Sequence, residues 1–250
     1  MRTGKRLRMG NIFRGDGRTV VVAMDHGLFG PWPGIEKPGE TIEKLVKGRP
    51  DAIMTNLGII TQFADELSAL PAVIWTVPSD GSALAYIEQA AKLGVDAVKV
   101  SIFGPHDLQK YSIFGPISVE CERWGMPLVV EPVPMKEEKY DNDPKEVAKV
   151  ARMGAEFGAD FLKVAYTGSA ESFREVVKVC PVPVTIMGGV KMETEKDALE
   201  VVKGSVDSGG AGVMFGRNIW QHRNPTAMVR AISKIVHEDA TVEQAMKELK

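Results

Sequence analysis

Cysteine is nearly absent: Cys121 and Cys180 are the two in a chain of 250 residues. With so few there is no disulfide framework and no Cys-x-x-Cys metal pattern, and a reducing compartment fits. An excess of one charge is lacking too, since 31 Lys and Arg face 33 Asp and Glu for a net charge of −2. That balance argues against a nucleic-acid binder, which carries a clustered basic surface. No run approaches the ~18–20 apolar residues of a membrane span. The basic start from Met1 to Arg14 lacks the apolar block of a secretory signal. The expectation is a cytoplasmic protein with neither a membrane nor a nucleic acid as partner. No G-x-G-x-x-G follows the first strand-like run and no P-loop pattern occurs, which removes two familiar nucleotide cradles. The four histidines, His26, His106, His222 and His237, are scattered without the convergence a zinc site needs. No metal and no cofactor are expected.

What is present is an ordinary globular composition, 44% hydrophobic and 26% charged. The length suits one large domain or two small ones, with a core that needs no covalent staples. Short apolar runs rich in Val, Ile and Ala recur at Thr19–Asp25, Ala52–Thr55, Ala72–Thr76, Ala97–Val100, Leu128–Glu131, Phe161–Val164, Val184–Met187 and Gly212–Phe215. They return every ~27 residues, the size of one βα unit. Unbroken apolar runs, rather than alternation, suit parallel strands buried on both faces. Between them lie helix signals. Asp143-Pro144 and Asn224-Pro225 each place a cap before a proline at the first helical position. Thr241 with Gln244 forms a capping box, and Leu84, Ile87 and Ala91 sit at helical spacing. Long connections follow the first strand, around Gly27–Gly39, and the fifth, around Met135–Asp141. Eight such units with no linker predict a single (β/α)8 TIM barrel spanning residues 1–250. A doubly wound sheet is the alternative, without its nucleotide fingerprint.

In a barrel the chemistry gathers at the C-terminal ends of the strands. Strand one ends in Asp25, strand four carries Lys99, strand five Glu131 and strand six Lys163. With a side-chain period of two, each of these follows small or apolar residues predicted to face the barrel interior. One buried lysine can be a structural ion pair. Two lysines and two carboxylates at four strand ends point further, because leaving them unpaired costs several kcal/mol per ion. A buried lysine suits nucleophilic attack on a carbonyl. Of Lys163 and Lys99, one can be the nucleophile while the other depresses its pKa or holds a substrate hydroxyl. Glu131, on the strand between them, is placed to move protons, and Asp25 can hydrogen-bond a substrate hydroxyl.

A second constellation follows strands seven and eight. Gly188 and Gly189 open one loop, and Gly216 and Arg217 the next. Loops at these positions in barrels often hold a phosphate through backbone N–H groups, with an arginine adding a bidentate grip. The expected ligand is a small phosphorylated carbonyl compound. His26, Trp75 and Tyr166 are secondary candidates for the pocket wall, each with a packing role as the alternative.

These residues resemble the archaeal-type class I aldolases, which include fructose-bisphosphate aldolases and aminodideoxyheptulosonate synthases. The resemblance covers most of the chain and rests on MDHG at 24–27, ERWGMPLV at 122–129, GADFLKVAYTG at 158–168, CPVPVTIMGG at 180–189 and GVMFGRNIWQ at 212–221. It implies a Schiff base on Lys163, phosphate binding by Gly188, Gly189, Gly216 and Arg217, and a homo-oligomer. One departure stands out. Where those enzymes carry Tyr-Pro-Arg-Gly after strand five, this chain has Val133 at the tyrosine position. Lysine on strand four with glutamate on strand five instead resembles the class I tagatose-bisphosphate and sulfofructose-phosphate aldolases. That likeness implies Glu131 as proton shuttle, Lys99 as its cationic partner and Asp25 as polar assistant. The function so implied is metal-independent cleavage of a ketose phosphate to dihydroxyacetone phosphate and an aldehyde. Transaldolase-like or thiolase-type transfer, or a non-catalytic sugar-phosphate-binding regulator, are the alternatives.

Overall fold

A computed structural model of the protein describes residues 3–104, 107–137 and 139–250, so His106 lies outside the described residues. Eight parallel strands are formed at β1 (Thr19–Ala23), β2 (Ala52–Thr55), β3 (Ala72–Thr76), β4 (Ala97–Gly104), β5 (Leu128–Lys136), β6 (Phe161–Val164), β7 (Val184–Met187) and β8 (Gly212–Phe215). Each pairs with its neighbour in sequence. β4 pairs with β5 and β1 with β8, so the sheet closes on itself as the expected barrel. Among the described residues no helix is long and apolar enough to cross a membrane.

The two faces of each strand serve two cores. Outward residues such as Val22, Ile53, Val98, Val130, Leu162 and Val213 meet the surrounding helices. Inward residues, among them Val21, Met54, Ile74, Ala97, Val129, Phe161 and Met214, fill the barrel. Helices begin and end where the local chemistry directs. Asp143 accepts from the N–H groups of Lys145 and Glu146, Asn224 accepts from Ala227, and Thr241 and Gln244 cap reciprocally. The helix Ala83–Leu93 buries Ile87 as expected, together with Ala83 and Ala90, whereas Leu84 is exposed and Ala91 half-buried. The buried stripe stays centred on Ile87 and takes the residues one before Leu84 and Ala91.

Two strands run well past their expected ends. β4 and β5 stay paired from Val98 and Leu128 up to Gly104 and Pro134, and β5 turns back through Lys139–Tyr140. The segment read as the loop Met135–Asp141 is therefore largely a hairpin. Its polar residues leave no apolar signature because the ribbon stands above the barrel, where both faces meet solvent or the cavity mouth.

The opposite end is closed by the helix Thr3–Ile12. Ile12 is fully buried within the inner core, and the Phe13 ring meets Phe161 edge-on at 5.1 Å. A repeated device anchors this plug. Asp51, Asp96 and Asp160 each precede an even-numbered strand, and each accepts an N–H near the start of the neighbouring odd strand, at Val20, Val73 and Leu128. The same three carboxylates hold the plug through Arg14, Asn11 and Lys5 at 2.5, 2.8 and 2.9 Å. Satisfying strand-end N–H groups and docking the plug are thus one set of contacts.

His237 ties the last long helix, Pro225–Glu238, to this end. Its Nδ1 lies 2.7 Å from Asp16 and its Nε2 2.8 Å from Asp51. Carboxylates only accept, so the doubly protonated ring satisfies both contacts. Burial alone would lower the imidazole pKa, but the hydrogen bonds the ring donates to Asp51 and Asp16 outweigh it and raise it above 6.5, against a smaller opposing charge on Arg14. A raised folded-state value contributes stability that is complete below pH 6.5 and fades as pH rises through the folded value. Denaturant unfolding measured from mildly acidic to mildly alkaline pH is expected to show stability falling as pH rises above 6.5, and His237→Gln is expected to flatten the fall.

Candidate active site

At the C-terminal rim the barrel presents four ionised groups in a row. The β1 backbone ends at Ala23, and Asp25 begins a short 3-10 turn, Asp25–Phe29. Its position is fixed by Trp220 Nε1 donating to the Ala23 carbonyl and Asn56 Nδ2 donating to the Asp25 carbonyl. Asp25 Oδ2 receives Thr76 Oγ1 and Lys99 Nζ, each at 2.9 Å. Lys99 Nζ also lies 2.6 Å from Glu131 Oε2, and Lys163 Nζ lies 2.6 Å from Glu131 Oε1. Ser101 donates to Glu131 Oε2 at 2.9 Å. The order Asp25, Lys99, Glu131, Lys163 alternates in sign, and all four side chains are buried. Each long lysine reaches sideways to Glu131 from a flanking strand, so closure of β4, β5 and β6 makes the row.

The electrostatics follow from this alternation. Burial pushes the Glu131 carboxyl up, yet Lys163 and Lys99 overcome it and hold it at about 2. Burial acts likewise on Asp25, and Lys99, His26 and Lys163 bring it well below the usual carboxylate range. Burial would strip the proton from Lys99, but two carboxylates keep it firmly as an ammonium. Lys163 meets one carboxylate where Lys99 meets two. The carboxylate of Glu131 stands between the two ammonium groups, so Lys99 acts on its neighbour through Glu131.

A cavity of about 600 Å³ opens above the row. Asp25, Lys99, Glu131 and Lys163 line its floor, and Gly188, Gly189, Gly216 and Arg217 line one side. Gly189 has φ +61°, a left-handed conformation that suits glycine. A Cβ on Gly216 would come within 2.8 Å of the Ala23 carbonyl. Asn218 staples the two glycine loops: its Nδ2 donates to the carbonyls of Gly188 and Val190, and its Oδ1 accepts from Met192 N–H. The Arg217 guanidinium lies 5.7 Å from the Trp32 ring centroid, and its Nε is buried without a hydrogen-bond partner. His26 also lines the cavity, between Trp32 and Trp220, with Nδ1 3.4 Å from Asp25 Oδ1. Among the described residues no group of three or more His, Cys, Asp and Glu side chains is arranged to hold a metal ion.

Comparison with known proteins gives this rim a family. A family model for DeoC/LacD family aldolases matches residues 19–222. The chain belongs to the DeoC/LacD aldolase family. Relatives of this DeoC/LacD chain include an uncharacterized aldolase of Saccharolobus solfataricus, 33% identical over 99% of both chains. Another is 2-amino-3,7-dideoxy-D-threo-hept-6-ulosonate synthase 1 of Archaeoglobus fulgidus, 34% identical over 98% of this chain and 95% of the relative. Solved structures agree. A Schiff-base-forming fructose-1,6-bisphosphate aldolase superposes with a TM-score of 0.80 at 27% identity, covering 94% of this chain and 100% of the other. An archaeal fructose-1,6-bisphosphate aldolase with its catalytic lysine bound to the carbinolamine intermediate gives 0.79 at 26% identity, covering 94% and 99%.

Two of the secondary pocket candidates lie elsewhere in this DeoC/LacD barrel. Trp75 is buried on the outer face of β3, edge-on to Tyr86 at 5.6 Å, because Thr76 takes the inward position beside it. Tyr166 leaves the strand outward, packs on Phe173 at 5.4 Å and points its hydroxyl at Gly204. Conversely, Thr76, Ser101, Trp32 and Asn218 were not read from the sequence. Ser101 was legible in principle, two residues beyond Lys99 on the same face of a longer β4. Asn218 carried no signal, since its partners are carbonyls far along the chain.

The alternation predicts a stability hierarchy. Lys99→Met leaves Asp25 without its ammonium and two carboxylates facing one lysine, and a loss of about 3–5 kcal/mol is expected. In urea unfolding, adding Asp25→Asn to Lys99→Met is expected to restore part of that loss, through a double-mutant cycle with negative coupling.

Proposed function

We propose that the protein is a class I aldolase that makes or breaks a carbon–carbon bond of a phosphorylated ketose through an imine on Lys163. The single observation that carries this reading is the shared carboxylate of Glu131, within 2.6 Å of both Lys163 and Lys99 at the cavity floor. Lys163 is the nucleophile in this reading, since Lys99 is held as ammonium by two carboxylates. Lys163 gives its proton to water, the free amine adds to the substrate ketone, and the carbinolamine hydroxyl takes a proton back and leaves as water, so that an iminium remains. Glu131 removes the proton from the hydroxyl two carbons away, the carbon–carbon bond breaks, and its electron pair passes into the iminium as an enamine. The aldehyde departs. The proton returns from Glu131 to the enamine carbon, and water hydrolyses the iminium to release dihydroxyacetone phosphate and restore the Lys163 ammonium. Lys99 remains charged throughout and keeps Glu131 a carboxylate between transfers. Asp25, joined to Lys99 and Thr76, is the polar assistant to a substrate hydroxyl.

The phosphate is assigned to Gly188, Gly189, Gly216 and Arg217, which share one side of the cavity with Lys163 on its floor. The unpartnered Arg217 Nε supports this, because a buried donor without an acceptor is costly unless a ligand supplies one. His26 contributes to the wall beside Asp25. A homo-oligomeric enzyme of the cytoplasm acting on a sugar phosphate completes the reading.

A second reading, transfer of the enamine to another acceptor, is favoured by the likeness to the Archaeoglobus fulgidus synthase. It uses the same residues and differs in what enters the cavity mouth.

Borohydride reduction in the presence of dihydroxyacetone phosphate, followed by peptide mass mapping, is the deciding experiment. An adduct on Lys163 that disappears in Lys163→Ala is expected. An adduct on Lys99 would exchange the two lysines, and phosphate binding without any adduct would favour a non-catalytic regulator. Glu131→Gln is expected to slow turnover by about 10²–10⁴-fold while imine trapping persists, the usual range for losing general acid–base catalysis. Equal loss of trapping and turnover would remove Glu131 from the proton-transfer role.

A further inference from the structure

The cavity has a charged floor and an apolar mouth. Phe29, Phe103 and Tyr140 stay 78%, 50% and 44% exposed, and all three line this cavity. They come from three separate segments: the turn after β1, the projecting end of β4, and the hairpin after β5. The other large hydrophobic side chains exposed among the described residues are aliphatic, and of these Leu28 joins the same mouth. Single exposed apolar residues are ordinary, whereas aromatic groups converging over a pocket mark a ligand surface.

The charges point the same way. Among the described residues lining the cavity the Lys and Arg cations are Lys99, Lys163 and Arg217. The two lysines are ion-paired on the floor, which leaves Arg217 to meet an anionic group. One phosphate can be served there. A second, at the far end of an aldol product, would exchange its hydration for aromatic faces with no further Lys or Arg among the described lining residues, a costly transfer.

We propose that the acceptor is an uncharged aldehyde with an aromatic or extended apolar body, joined to a monophosphorylated ketone held at Arg217. The proposal rests on the reading of Lys163 as the imine-forming residue. In the bond-forming direction the iminium of the ketone gives its α-proton to Glu131 and becomes an enamine. The enamine carbon bonds to the aldehyde carbon, the aldehyde oxygen takes that proton back from Glu131, and water hydrolyses the iminium. The body of the aldehyde lies against Phe29, Phe103 and Tyr140, where edge-to-face contact is available to a ring.

The test compares phenylacetaldehyde with a phosphorylated triose aldehyde as acceptors for dihydroxyacetone phosphate, with borohydride trapping run on the same protein. A kcat/KM for phenylacetaldehyde at least about tenfold higher is expected, the scale on which a hydrophobic pocket discriminates. Phe29→Ala and Phe103→Ala are expected to raise the KM for phenylacetaldehyde with a smaller change in kcat, and Phe103→Leu to recover most of the loss. Trapping on Lys163 together with a preference for the phosphorylated aldehyde, or with no turnover of phenylacetaldehyde, would overturn the acceptor class and leave the imine reading standing. An unmoved KM in both alanine variants would overturn it as well. Absence of any Lys163 adduct would remove both readings together.

Discussion

Four charges buried at one end of a closed sheet constrain everything around them. Asp25, Lys99, Glu131 and Lys163 have little access to water, so each must be neutralised by another within hydrogen-bond reach. Carboxylate, ammonium, carboxylate and ammonium in sequence do this with no net charge, and the low dielectric that makes an unpaired ion costly makes the paired row rigid. The row spans the β1 end, β4, β5 and β6, so it exists only if the barrel closes and the strands keep register. A slip of one residue on β5 would turn Glu131 outward toward the helices and strand two lysines.

Strand register is secured at the opposite end by different carboxylates. Asp51, Asp96 and Asp160 each bind an N–H near the start of a neighbouring strand and a side chain of the plug segment. These contacts sit at the N-terminal face, where barrels concentrate stability, while the glycine loops and the charged row occupy the C-terminal face. The division lets the segments after β1, at the tip of β4 and after β5 present Phe29, Phe103 and Tyr140 without carrying the core. Asn218 bridges the two roles, since its amide joins the glycine loops that flank Arg217.

The parts of the structure that were legible in the sequence share a local cause. Strand positions could be read because a parallel strand buried on both faces needs an unbroken apolar run, and helix starts because a cap is a contact between near neighbours. The inward direction of Lys99, Glu131 and Lys163 followed from alternation alone. Proximity to a strand end was a weaker guide: Trp75 lies just before one, yet alternation turns it outward as it turns Thr76 inward. Alternation also gave no warning of the ribbon formed by β4 and β5 beyond the rim: Pro132, Val133 and Pro134 are buried there, but two prolines interrupt the strand pattern, and the paired Ile102, Phe103 and Gly104 are half-buried or exposed.

By itself the sequence determined that eight βα units form and which ionisable side chains point into the barrel, because both depend on periodicities within single segments. Only the tertiary structure decided that one glutamate is shared by two lysines, that Arg217 rests against Trp32, and that Phe29, Phe103 and Tyr140 meet over one cavity. Those relations join groups that are remote along the chain. They arise when the sheet closes, and no local pattern encodes a closure.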